Sequence, residues 1–323
     1  MSRIEIAELL KQDGLAYSVA EKLRYDLKLN AEDKDFLSVA DQWARHVGNT
    51  GADGAHELSQ FIQKQLPDEL YPTHDELIDL IADRGTVGEF DQVEYSRMHN
   101  GLIAHEAAPG GTVDRSFMDM TFAQPFSRFR QVETDISLTD LRRNGFKTVA
   151  NHVVAAKEKF HNALFYDFFA QVDGLAIGGA QTATGLNPAS MKKLSTYLLD
   201  RGGECVAVTQ NQHAQDIADM AGHTSFMSDE MKSKFNRTGL VDIYRGVRIG
   251  AVAGSTIVPG APLLPDNRVY GVAGKVAKLD MRGDIRVLQQ TNIQTEQIHI
   301  KITGFSYTFA FLKPENLFKL SVS

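Results

Sequence analysis

The chain has 323 residues, 43% hydrophobic and 23% charged, with a formal net charge of −7. That composition can bury a large core and excludes wholesale disorder, and no apolar run nears the roughly 18 residues a membrane-crossing helix needs. An acidic chain is poorly suited to reading DNA sequence, because phosphate neutralisation dominates such binding.

The charge is uneven: residues 1–89 hold 9 Lys+Arg against 18 Asp+Glu, a net −9, which leaves +2 on the remaining 234. Met1-Ser2-Arg3-Ile4-Glu5 is acidic and amphipathic and lacks the apolar core of a signal peptide, so a cytosol-like compartment is expected. Residues 1–85 read as helices. Ile6, Leu9 and Leu10 make one apolar stripe, and Val19, Leu23 and Leu27 another. Asn30-Ala31-Glu32-Asp33 reads as a helix start ahead of Phe36, Val39 and Trp43, and Gly48–Gly54 as a flexible break. Thr73-His74-Asp75-Glu76 predicts a capped short helix over 77–82 that ends at Gly85.

Over 86–135 helical spacing vanishes, and Pro109-Gly110-Gly111-Thr112 makes a turn between two extended arms. A segment of about 50 residues without its own core is uncommon in a compact domain unless it serves a function; an arm resting on a neighbouring subunit is expected, with one edge of an ordinary sheet as the alternative. The strongest periodicity lies in 137–172. Ser137 is a cap, Phe146, Val149, Val153, Ala156, Phe160, Leu164 and Phe168 form the apolar stripe, and Gly145 can split off the first turns. Arg142, Arg143, Lys147, Lys157 and Lys159 make the other side basic, the pattern of a long helix laid across a sheet.

Asn187-Pro188 sets a helix start that runs to Asp200 before Gly202-Gly203. A strand at 205–209, a helix at 211–221 and a mobile-looking stretch from Ser225 to Arg237 follow. Strands are then predicted at 243–251, 268–278, 285–290, 297–303 and 306–312. Cys205, the single cysteine, opens an apolar strand and reads as a buried structural thiol; alone it permits neither an intrachain disulfide nor a thiolate metal site.

No catalytic pattern emerges. The glycine-rich 174–185 stretch lacks the lysine of a phosphate-binding loop. The ten histidines are scattered, with His152 and His161 nine apart and so not on one helix face. There is no Gly-x-Ser-x-Gly and no recognisable carboxylate pair. No catalytic residue, cofactor or metal site is assigned.

The ordered set Val206-Ala207-Val208-Thr209, a helix opening at Gln210–His213, the Arg237–Ile249 segment, Ile298-His299-Ile300-Lys301-Ile302 and the closing Tyr307–Leu317 stretch with Pro314 resembles the C-terminal half of tailed-phage major capsid proteins with the HK97-type fold. The resemblance implies an α+β chain with a helical N-terminal arm at 1–85 and an extended loop at 86–125. A peripheral domain at 126–183 and 283–323, including a spine helix at 137–172, and an axial domain at 184–282 complete it. It implies a non-enzymatic shell protein that assembles with itself into hexamers and pentamers of an icosahedral virion around double-stranded DNA, without sequence-specific binding. Portal and scaffolding proteins would be its partners, the host cytoplasm its place of assembly, and no membrane is involved. The expected assembly contacts are the arm tip Pro109, Gly110 and Gly111, the arm flank Tyr95, Arg97 and Arg115, and Arg142 and Arg143 on the spine. Some members of that family weld neighbours through a loop lysine, and here no lysine occurs between Lys64 and Lys147, so a shell without crosslinks is expected. An encapsulin-like compartment holding enzyme cargo is the near alternative, and a soluble α+β enzyme the distant one.

Overall fold

The computed structural model describes residues 15–24, 27–65, 76–88, 91, 93–100, 118–123, 125–220, 243–252, 264–283, 285–292 and 294–322. The Ile6–Leu10 stripe, the Thr73-His74-Asp75 cap and the Ser225–Arg237 segment lie outside the described residues.

Helices α1 (Leu15–Arg24), α2 (Ala31–Thr50) and α3 (Ala52–Gln65) come first. Asn30 caps α2 reciprocally: its Oδ1 accepts the Asp33 N–H at 2.7 Å, and the Asp33 carboxylate accepts the Asn30 N–H at 2.8 Å. Asp33 is buried and also takes Lys22 Nζ at 2.7 Å, which ties α1 to α2. That lysine's hydrogen bond holds the carboxyl below its ordinary range. The break expected at Gly48–Gly54 is narrower than that: α2 continues through Gly48, and Gly51, at φ 62°, turns the chain into α3. Gly48 is small because another helix touches it; a Cβ there would sit 3.1 Å from Leu141 Cβ and Arg142 Cγ.

A short helix α4 (Glu76–Ile81) stops earlier than predicted, because Ala82 begins a strand, β1 (Ala82–Val87). β1 runs parallel to β10 (Ala277–Arg282) with Gly85 opposite Asp280, where a side chain would collide with the aspartate. β2 (Tyr95–Asn100) and β3 (Met118–Ala123) pair antiparallel as a separate two-stranded sheet, the arm. The long hairpin predicted over 86–135 is therefore shorter, since β4 (Phe126–Ser137) joins a different sheet.

Ser137 caps α5 (Leu138–Asn144), accepting the Asp140 N–H at 3.2 Å. Gly145, at φ 58°, then separates α5 from α6 (Phe146–Gly174). The 29 residues of α6 extend about 43 Å at 1.5 Å each. Glycine offers no side chain to cap it, so Asp41 of α2 does: its Oδ1 accepts the Phe146 N–H at 2.8 Å. Around that junction Phe36, Trp43 and Phe61 of α2 and α3 pack with Phe146, at ring separations of 4.9–5.9 Å.

α6 lies on one face of a five-stranded sheet of order β1-β10-β12-β11, in which β12 (Gln297–Phe311) also pairs β4 along its other side and β11 is Arg286–Asn292. Two strands were predicted at 297–303 and 306–312; they form one, with a bulge between Ile302 and Phe305 and Gly304 at φ 93°. The inserted residue switches parity. Ile298, Ile300 and Ile302 point inward before it, and Phe305, Tyr307, Phe309 and Phe311 after it, all buried. Phe160 of α6 meets Phe305 at 4.8 Å, and Phe168 meets Phe311 at 5.2 Å.

The second sheet has six strands in the order β5 (Thr182–Thr184), β13 (Leu317–Ser321), β9 (Arg268–Ala273), β6 (Cys205–Gln210), β8 (Val247–Val252) and β7 (Ile243–Tyr244). The predicted strand 268–278 divides at Gly274, φ 65°, into β9 and β10, which serve different sheets. The predicted 243–251 strand folds at Arg245-Gly246, both at positive φ, into the tight turn joining β7 and β8. α7 (Pro188–Arg201), capped by Asn187, and α8 (Asn211–Ala218) complete this unit. β6 is buried on both faces: Cys205 and Ala207 pack in the cluster of α7 and α8, Val206 and Val208 in the cluster of α6. Burial raises the Cys205 thiol pKa, as suits a structural cysteine. The 174–185 stretch is a loop with one 3-10 turn at Gly179–Gln181 before β5.

Asp41→Ala should remove the cap of α6 and cost about 1 kcal/mol, within the 0.5–2 range of lost N-caps, read as a lowered midpoint in urea. His152 of α6 is half-buried, with Nδ1 2.8 Å from Thr134 Oγ1, and burial depresses its pKa below 6.5. A depressed folded pKa means that the unfolded chain takes the proton first. Stability from this group is therefore complete above pH 6.5 and lost as pH falls through the folded value. Denaturation midpoints across that acid limb should fall for the wild-type chain and flatten in His152→Gln.

Candidate assembly surfaces

β2 and β3 present two unlike faces. Tyr95 and Arg97 are two residues apart and share one of them. Tyr95 is buried: its hydroxyl donates to Asp280 Oδ2 at 2.7 Å, and Lys278 Nζ lies 5.8 Å from its ring centre. Burial, and then the carboxylate, push the phenol's pKa up. Arg97 forms a two-bonded pair with Glu315, with Nη1 2.7 Å from Oε2. Both side chains thus bind their own chain.

The other face carries Met118, Met120 and Phe122, which are 49%, 56% and 68% exposed. In register they lie opposite Asn100, Met98 and Ser96. A solvated strand face normally alternates toward polar residues; this one offers three large apolar side chains in a row. Phe129 of β4 and Leu288 of β11 are similarly exposed, at 58% and 55%.

The sheet face away from α6 has a ladder of opposite charges. Glu133 pairs Lys301 at 2.7 Å, and Asp135 Oδ1 accepts from His299 Nδ1 at 2.7 Å. Beside it is an open depression of about 480 Å³, where Asp135 and His299 meet the amides of Gln290, Asn292, Gln294 and Gln297. No serine, cysteine or lysine lines it. Among the described residues no group of three His, Cys, Asp or Glu side chains could hold a metal ion, and no helix is long and apolar enough to cross a membrane.

Arg142 ends α5, where its Nε donates to the Gly48 carbonyl at 2.8 Å and its Nη1 lies 3.3 Å from Glu296. Arg143 beside it is exposed. Pro109, Gly110, Gly111 and Arg115 lie outside the described residues. The structure therefore brings Tyr95 and Arg97 together, and places Arg142 and Arg143 elsewhere, at the end of α5. The alternation Met118-Asp119-Met120-Thr121-Phe122 was the available signal for the apolar stripe, but a half-buried strand reads the same way.

A long helix across one sheet, a separate strand pair and a second sheet with its own helices are the parts of the HK97-type capsid fold. Solved structures bear this out. The chain is similar to one from Mycobacterium phage Ogopogo, with TM-score 0.54 and 10% identity over 77% of this chain and 92% of that one. It is similar to one from Microbacterium phage Oxtober96, with TM-score 0.52 and 13% identity over 76% and 90%. A third is described as the capsid of an empty GTA particle computed with C5 symmetry, with TM-score 0.52 and 12% identity over 75% and 88%. Within that fold, residues 11–311 match the model of the family described as "SPbeta prophage-derived putative capsid protein YonB". The chain belongs to this family and is a capsid protein of phage origin. No curated protein matches it in sequence.

Proposed function

We propose that this chain is the major shell subunit of its phage, closing into hexamers and pentamers of an icosahedral capsid around double-stranded DNA. The observation that carries the reading is the arm: one face is bonded to its own body, and the other bears the exposed Met118, Met120 and Phe122. Contiguous exposed apolar side chains mark surfaces that another molecule covers. A second copy is the cover that a capsid protein has available. Such head-to-tail contacts between identical chains close into rings.

In this reading the first sheet with α6 forms the peripheral domain proposed at 126–183 and 283–323, and the second sheet with α7 and α8 the axial one proposed at 184–282, except that β1 and β10 join the first sheet and β13 the second. The helical arm proposed for 1–85 supplies α1 and α2, which pack on α5 and α6, while its last residues already belong to strand β1, and 86–125 is proposed as the extended loop. Pro109, Gly110, Gly111 and Arg115 reach the neighbour with the rest of the arm, while exposed Arg143, beside Arg142, offers charge for the contact. The net charge of −7 keeps the wall from clinging to packaged DNA. Portal and scaffolding proteins join it in the host cytoplasm.

The triple variant Met118→Ser, Met120→Ser, Phe122→Ser tests the reading, since exposed positions change fold stability by only about 0.5 kcal/mol. Negative-stain microscopy should show particles or rings from the wild-type chain and none from the folded variant. Full assembly of the variant would refute the contact, and a wild-type chain that stays a small oligomer would refute the shell. Copurifying enzyme instead of DNA would move the reading to a cargo compartment. Boiled in SDS, wild-type particles should run as a single monomer band, because the extended loop has no lysine; a ladder of covalent multimers would contradict this.

A further inference from the structure

Tyr95 and Arg97 sit on one face of β2 but take partners from two places, a strand of the first sheet and the turn that joins the two sheets. Asp280 belongs to β10 of the first sheet. Glu315 belongs to the 3-10 turn Pro314–Asn316 that leads into β13 of the second. One attachment leaves a rod free to pivot; two on separate supports fix its direction.

Each attachment is itself held. Asp280 is 1% exposed and, besides the Tyr95 hydroxyl, has Lys278 Nζ at 3.8 Å. Gly85 leaves room for that carboxylate where a side chain would collide with it. The Glu315 turn is pinned by Tyr197, whose hydroxyl donates to the Glu315 carbonyl at 2.6 Å, and by Asn316, whose amide donates to the Ala273 carbonyl at 3.0 Å. Just ahead of β2, Arg282 donates to the Asp91 carbonyl at 2.5 Å. A bidentate arginine–carboxylate pair adds geometry as well as energy. A buried carboxylate loses much when its donor is removed.

We propose that Tyr95–Asp280 and Arg97–Glu315 form a two-point latch that sets the direction of the arm in the free subunit, and through it the curvature at which copies join. The second half rests on the shell reading above; the first half does not. These four are positioning residues, since they act on a neighbour only through where the arm points.

The test compares the full-length wild-type chain with Arg97→Glu, Glu315→Arg, the double swap, and Tyr95→Phe. Hydrogen exchange of residues 95–100 and 118–123 is measured in unassembled subunits, and particle diameter by electron microscopy. Each single reversal should raise arm exchange by roughly tenfold or more while α6 stays protected, and should broaden the diameters. The double swap should restore both, which a merely weakened fold would not do. Tyr95→Phe should move both readouts in the same direction by less. Wild-type arm exchange in Arg97→Glu, or an unchanged single diameter, would overturn the latch. Absence of particles from the wild-type chain would count against the shell reading instead, and arm exchange would still decide whether the latch exists.

Discussion

The molecule is organised by one helix that cannot complete itself. α6 follows directly on Gly145, so its first amides find no local cap, and Asp41 reaches over from α2 to supply one. At the other end Lys319 of β13 donates to the carbonyls of Asp173 and Leu175 at 2.7 and 2.9 Å. A carboxylate at the N-terminus and an ammonium at the C-terminus both oppose the helix dipole in the favourable sense. Closer to that end, Asp167 is buried and receives Arg130 of β4 and the Tyr307 hydroxyl of β12, the latter at 2.5 Å. A buried carboxylate without such partners would be strongly unfavourable. The helix is thereby keyed to the N-terminal helices, to the first sheet and to the second, and the relative placement of all three follows from it.

The aromatic residues repeat that logic without charge. Phe168 faces Phe309 and Phe311 of the first sheet, while its neighbour Phe169 faces Tyr270 of the second at 5.2 Å. Consecutive helix positions point about 100° apart, so the end of α6 wedges between the sheets. The bulge at Gly304 completes the fit: without it, Phe305 to Phe311 would turn their rings to the face that carries Lys301 and His299. The described helices of the acidic N-terminal third are part of the body. Asp33 and Asp41 are spent inside the fold, and Trp43 and Phe61 share a core with Phe146.

What could be read from the chain was local. Asn30, Ser137 and Asn187 are caps because short polar side chains before an apolar period have one good use, and Gly145 splits the long helix for want of a side chain. The order of elements was enough to place the fold. What could not be read was anything decided by a partner distant in sequence. Gly48 looked like a hinge because nothing nearby announces Leu141 and Arg142 against it. The strand at Ala82–Val87 was not legible, because its strand character comes from pairing with residues almost two hundred positions later. The intrachain bonds of Tyr95 and Arg97 were illegible for the same reason: their partners, Asp280 and Glu315, stand 185 and 218 residues away. Burial of one arm face is also what makes the bareness of the other meaningful, and alternation alone cannot tell a covered face from an open one.

That asymmetry bears on how a shell subunit can be both soluble and self-complementary. Association costs translational and rotational freedom, and ordering a flexible arm at the same moment would add to it. An arm already bonded to its own body through Asp280 and Glu315 has met the ordering cost during folding. Its three apolar side chains then need supply only the contact itself. In the proposed shell each subunit would make that contact twice, once giving its arm and once receiving one, and the contacts would reinforce one another through high effective concentration. On that proposal a stripe of three exposed side chains would be multiplied by ring closure instead of having to hold a single pair of copies together alone.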